Sequence, residues 1–203
     1  MKKYELTEEK KVFLGTVLYR IRALKDFELL NGTIIHAGDL GGWIEKEDNL
    51  SQIDSAWVSG EAQVYDNAYV YGNARVSGEA EVSGNARVYG KAEVSDKAWV
   101  CGNARVSGEA EVSGNAEVSG TTHVMTFGPA GSRNDTTTFY RNKNNGISVT
   151  CGCFNGSMED FLARVHETHG DNKHGPVYRA AAEQMCIRDR FLAVTSACLT
   201  KRN

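Results

Sequence analysis

From Ala56 onward the chain repeats an alternation of apolar and polar positions every six residues. Ala56-Trp57-Val58 is followed by Ala62-Gln63-Val64, Ala68-Tyr69-Val70, Ala74-Arg75-Val76 and Ala80-Glu81-Val82. The series continues through Val88, Val94, Val100, Val106, Val112 and Val118 to a degenerate last copy, Thr122-His123-Val124. Ala, x and Val obey the two-residue period of a strand, so Ala and Val face one side and x the other. Two residues after each Val of the regular copies comes Gly or Asp (Gly60, Asp66, Gly72, and so on), usually followed by Asn, Glu or Lys. Such pairs suit the backbone angles of a tight corner. A strand this short is not stable alone and has to stack on copies of itself, which predicts a β-solenoid with one continuous core. Period six with recurrent Gly excludes an amphipathic helix, and an inward Val at every sixth place is not required of a disordered segment.

The recurring Val58-Ser-Gly-Glu-Ala62-Gln pattern resembles the hexapeptide motif of left-handed parallel β-helix proteins. That resemblance implies three hexads per triangular coil. The twelve hexads from 56 to 124 would then make four coils, each rising ~4.8 Å. Stacking at three hexads places Tyr71 over Tyr89 and Arg75 over Glu93, and aligns Gln63, Glu81, Trp99 and Glu117 in a column. Trp57, Tyr71, Tyr89 and Trp99 are then candidate contacts on an exposed face.

Residues 1–55 read as a β-rich cap, with a hairpin pivoting near Gly15 and an imperfect entry into the repeat at Ile44 and Leu50. A cap is expected because an uncovered solenoid end is an open strand edge. Ile21-Arg-Ala-Leu-Lys-Asp-Phe27 through Gly38-Asp-Leu-Gly-Gly-Trp-Ile44 resembles the start of bacterial and prophage YdcK-like proteins described as transferases.

Residues 125–184 read as a small ββαα module. A loop is expected over 127–135, then a hairpin around Asn144-Asn145-Gly146. A helix follows from Ser157, with Asp160 completing a capping box and Gly170 stopping it. A second helix opens at Pro176 and runs to about Gln184. The Gly-Ser-Arg-Asn, Cys-Gly-Cys-Phe and Thr-His-Gly-Asp-Asn-Lys-His segments resemble a phage-associated module. Met185-Cys-Ile-Arg-Asp-Arg190 resembles a translated sequencing adapter, which would make 185–203 a non-native tail.

The net charge of −3 gives no general case for nucleic acid or an anionic surface. No stretch approaches the ~20 apolar residues of a membrane span, and the first ten residues lack the apolar run of a signal peptide. Five cysteines without framework spacing point to a reducing cytoplasm.

Enzymes that the β-helix resemblance brings in are acyltransferases, nucleotidyl-sugar enzymes and γ-class carbonic anhydrases. An acyltransferase needs a His as general base, with a loop or cleft to hold its substrates. His123, in the last hexad, is the one candidate base, and the hexads carry no insertion. Cys151, Cys153, His166 and His169 are candidate ligands of a tetrahedral Zn ion, with His174 near them. Arg133, Arg141, Lys143, Lys173 and His174 could meet an anion. The regular coils favour a non-enzymatic scaffold, with no resident cofactor, that self-associates or binds a protein partner. A transferase and a small-ligand or metal-binding C-terminal module are the alternatives.

Overall fold

The computed structural model describes residues 2–131, 134–170 and 172–189. The chain divides into two compact units, 1–121 and 122–203.

The first unit is a β-solenoid of about four turns. Each of the eleven hexads from Ala56 to Val118 contributes a two-residue strand, and those from Trp57-Val58 to Trp99-Val100 each pair in parallel with the strand eighteen residues on. The twelfth hexad does not join the coils, because Val124 opens an antiparallel strand of the second unit. Gln63-Val64, Glu81-Val82, Trp99-Val100 and Glu117-Val118 stack in one sheet. Tyr69-Val70, Arg87-Val88 and Arg105-Val106 form the second sheet. Trp57-Val58, Arg75-Val76, Glu93-Val94 and Glu111-Val112 form the third. All the inward alanines and valines from Ala56 to Val118 are buried, most of them completely. Each hexad deposits one small and one branched side chain inside, so interior width stays constant from coil to coil.

The coil begins earlier than the regular hexads. Ile44 pairs with Val64 and Leu50 with Val70, each twenty residues on, whereas Val58 pairs with Val76, eighteen on. The two extra residues therefore sit between Leu50 and Val58, which obscures the first coil in the sequence. The corners turn where the pattern places Gly or Asp. Gly78 has φ +70°, and a Cβ there would lie 2.9 Å from the Asp96 nitrogen of the next coil. Asp66 and Asp96 adopt the same left-handed backbone. Their carboxylates accept the N–H of Gly84 and Gly114, eighteen residues on. That bond offsets the cost of a side chain in this conformation.

Strands Tyr4–Phe13 and Thr16–Ala23 form the expected hairpin, with Leu14 and Gly15 at positive φ in its turn. Through Leu40–Ile44 this hairpin joins the first solenoid sheet, giving it seven strands. The start of the hairpin closes the irregular first coil. Lys3 is buried, and its ammonium donates to the carbonyls of Asp54 (2.9 Å) and Ala56 (2.7 Å). The Tyr4 hydroxyl donates to the Leu50 carbonyl at 2.8 Å.

Burial pushes the Lys3 ammonium down to about 8. Between pH 8 and the unfolded value near ~10.4, the unfolded chain binds more protons than the folded one, so stability rises with pH. The rise should reach about 2 kcal/mol by pH 10. Burial holds the Cys101 thiol up and the Tyr4 and Tyr65 hydroxyls well above their usual range. These groups lose stability as pH climbs, so the lysine is isolated by comparison with Lys3→Met. Urea unfolding at pH 7.5 and 9.5 should show the stability difference between parent and variant shifting in favour of the parent. A difference independent of pH would contradict this assignment.

The second unit is a four-stranded antiparallel sheet, Val124–Ala130, Asp135–Arg141, Ile147–Cys151 and Phe154–Ser157, with two helices. Helix α1 spans Met158–His169 and α2 spans Gly175–Arg188. Phe139, Val149, Phe161, Val165, Tyr178 and Met185 are its buried core. The hairpin around Asn145 and the caps of α1 follow the sequence. Ser157 Oγ accepts the Asp160 N–H at 3.1 Å, and Gly170 ends the helix at φ +49°.

Three features of this unit differ from expectation. Residues 127–130 continue a strand rather than a loop, because Phe127 and Ala130 find partners in Thr137 and Asp135 across an irregular register. Phe154–Ser157 is an additional strand, paired with Ile147–Cys151. Helix α2 runs past Gln184, since Met185 and Cys186 extend its buried face. Of the segment read as a non-native tail, 190–203 lies outside the described residues. Asp189 is buried and paired with Arg141.

Candidate functional site

The interior is filled, so the chemistry of the first unit is on its outside, where side chains repeat in columns at the coil spacing. Arg75 donates to Glu93 at 2.8 Å, Lys91 to Glu109 at 2.9 Å, and Lys97 lies 3.8 Å from Glu79. All three pairs are eighteen residues apart. Asn67, Asn85 and Asn103 form an amide ladder, each Nδ2 donating to the next Oδ1 at 3.3 Å. Tyr71 and Tyr89 stack with centroids 4.9 Å apart and planes 6° from parallel, and Tyr69 stacks on Tyr71 at 4.8 Å. The tyrosine column is thus as the hexad count places it. The Asn ladder was missed, although its spacing is visible in the sequence once the coil length is known.

Two exterior columns are less self-contained. Arg87 and Arg105 are stacked in register and exposed. Trp99, 41% exposed, lies between Glu81 and Glu117 in its column. Trp57 is different, and its assignment as an exposed contact is corrected. It is 2% exposed, lying edge-on to Tyr4 and Phe27 of the cap at 6.3 and 5.3 Å. It does point out of the coil, but the cap covers it. A Cβ on Gly41 would come within 2.7 Å of its ring, so that approach requires glycine. The hexad pattern alone could not reveal a cover drawn from Tyr4 and Phe27, far earlier in the chain.

Glu61 fastens the cap to the coils. It accepts from Arg20 at 2.8 Å and from the Trp43 indole N–H at 2.9 Å, with Lys11 3.5 Å away. The Arg20 hydrogen bond is the main reason its carboxyl stays below the usual range. A shallow cavity of about 310 Å³ beside Tyr69 is lined by Glu47, Asp48 and Gln52.

The remaining candidates lie in the second unit. His123 is half-buried, and its carbonyl accepts the Arg141 N–H at 2.9 Å. Cys151 ends a strand and its Sγ accepts from the Thr137 hydroxyl at 3.1 Å, while Cys153 is exposed in the following turn. His166 and His169 lie in the last turn of α1, and the His169 ring contacts those of His174 and Tyr178 at 5.6 Å. Among the described residues, no three His, Cys, Asp or Glu side chains gather as a metal site. Arg141 is buried in its pair with Asp189 and so is not free to meet an external anion. Lys143 and Lys173 are exposed, and Arg133 lies outside the described residues.

Three parallel sheets, an eighteen-residue coil and a filled Ala/Val interior define a β-solenoid protein. Residues 62–78 match the family described as YdcK Beta solenoid repeat, a stretch just short of one coil. No curated protein matches the chain. Among the described residues, no helix is long and apolar enough to cross a membrane.

Proposed function

We propose that this protein is a non-enzymatic interaction scaffold of bacterial or phage origin, acting in the cytoplasm. The observation that carries the proposal is the unbroken eighteen-residue register from Val64 to Val118. No loop leaves the coils there to form a cleft, and Ala and Val fill every inward position. An acyl or nucleotidyl transfer site needs a pocket in which donor and acceptor are oriented against a base. Parallel coils instead hold exterior side chains at one fixed spacing, which suits recognition of a partner over an extended face. The test is calorimetric titration of the full chain with acetyl-coenzyme A and with a uridine-diphosphate sugar. No saturable heat is expected from either. Saturable binding abolished by His123→Ala would establish the transferase reading instead.

A further inference from the structure

We infer that the solenoid associates with further copies of itself by laying the Arg87/Arg105 face of one chain against the Glu81/Trp99/Glu117 face of the next. This rests on the scaffold reading and names the scaffold's partner as a second copy.

The argument starts from charge pairing. Five cations lie on the regular coils, and Arg75, Lys91 and Lys97 each meet a carboxylate one coil away. Arg87 and Arg105 instead lie opposite each other, and among the described residues no ion pair involves either. Like charges opposite one another in a sheet are destabilising. The coils therefore bear a local cost that no ion pair among the described residues relieves.

The complementary column is on the neighbouring sheet. Glu81 precedes Arg87 by one hexad, and Trp99 precedes Arg105 by one hexad, so each pair lies at the same coil level. Two copies side by side with coils level would set Arg87 against Glu81. Arg105 would meet the exposed face of Trp99, with Glu117 one coil further. A guanidinium stacks well on an indole and pairs well with a carboxylate. Because both columns repeat at the same coil spacing, satisfying one contact satisfies the others. The two patches differ, so the contact is heterologous and each copy offers one of each.

The test is sedimentation velocity of the full chain at low and high salt. Wild type should associate at low salt, and the association should weaken as salt screens the pairs. Arg87→Glu with Arg105→Glu should weaken it about tenfold or more, with an unchanged circular dichroism spectrum and melt. Glu81→Arg with Glu117→Arg should weaken association to the same extent, and mixing the two variants should restore it. The Tyr65 hydroxyl donates to Glu81; Trp99→Ala leaves that bond in place, is the second probe of that face and should also weaken association. Wild type remaining monomeric at every concentration, or associating undiminished in both charge-reversed variants, would overturn the inference. Either result is separable from donor binding, which would overturn the scaffold reading alone.

Discussion

Val88→Asp is expected to unfold the solenoid, while Arg87→Thr one residue away leaves its stability within about 0.5 kcal/mol. Val88 is fully buried between Val70 and Val106 of the adjacent coils. Its inward neighbours along the strand are Ala86 and the corner, so a carboxylate there finds no cation. Burying an unpaired acid, even after it takes up a proton, costs about 4 kcal/mol or more. The total stability of a domain is typically about 5–15 kcal/mol, so little would remain. Arg87 points to solvent, and threonine is a good strand former at that place. Urea unfolding followed by circular dichroism distinguishes the two. Equal stability of both variants would mean that the Ala-x-Val alternation does not face inward as described.

That contrast also shows why the coils were readable and other parts were not. Burial inside the coil follows a local rule, six residues long, and the rule recurs without interruption from Ala56. The fate of Trp57 depends on Tyr4, Phe27 and Gly41, which no local pattern connects to it. The first coil was only half visible because two extra residues after Leu50 shift the spacing. In the second unit, the Ser157 and Gly170 caps and the Asn145 turn are short-range signals, and they were legible. The strand Phe154–Ser157 has Asn155 and Gly156 at its centre, a composition that reads as loop until its neighbour supplies the hydrogen bonds. Candidate chemistry was the least legible part. Arg141 looked like a surface cation, yet it is buried against Asp189, forty-eight residues away.

The exterior columns were legible only in part, because they depend on the coil length. Tyr71 over Tyr89 and Arg75 over Glu93 follow directly from three hexads per coil. That no ion pair among the described residues involves Arg87 or Arg105 emerges only once every other cation on the coils has been matched to its carboxylate. The register is therefore the common support of the scaffold reading, the tyrosine stack and the proposed self-association.

An engineered disulfide tests that register most directly. Asn67 and Asn85 are exposed, and their side chains meet at 3.3 Å across one coil step. Stacked corners approach within the ~4.4–6.8 Å Cα separation that a disulfide needs. Asn67→Cys with Asn85→Cys should oxidise to an intramolecular bridge, seen as a linked peptide by mass spectrometry. Closing a loop of this length should stabilise the fold by about 3 kcal/mol. Asn67→Cys with Asn73→Cys, on successive corners of one coil, should remain reduced. Bridging of 67 to 85 but not 67 to 73 is the result predicted by an eighteen-residue coil; the reverse would contradict it.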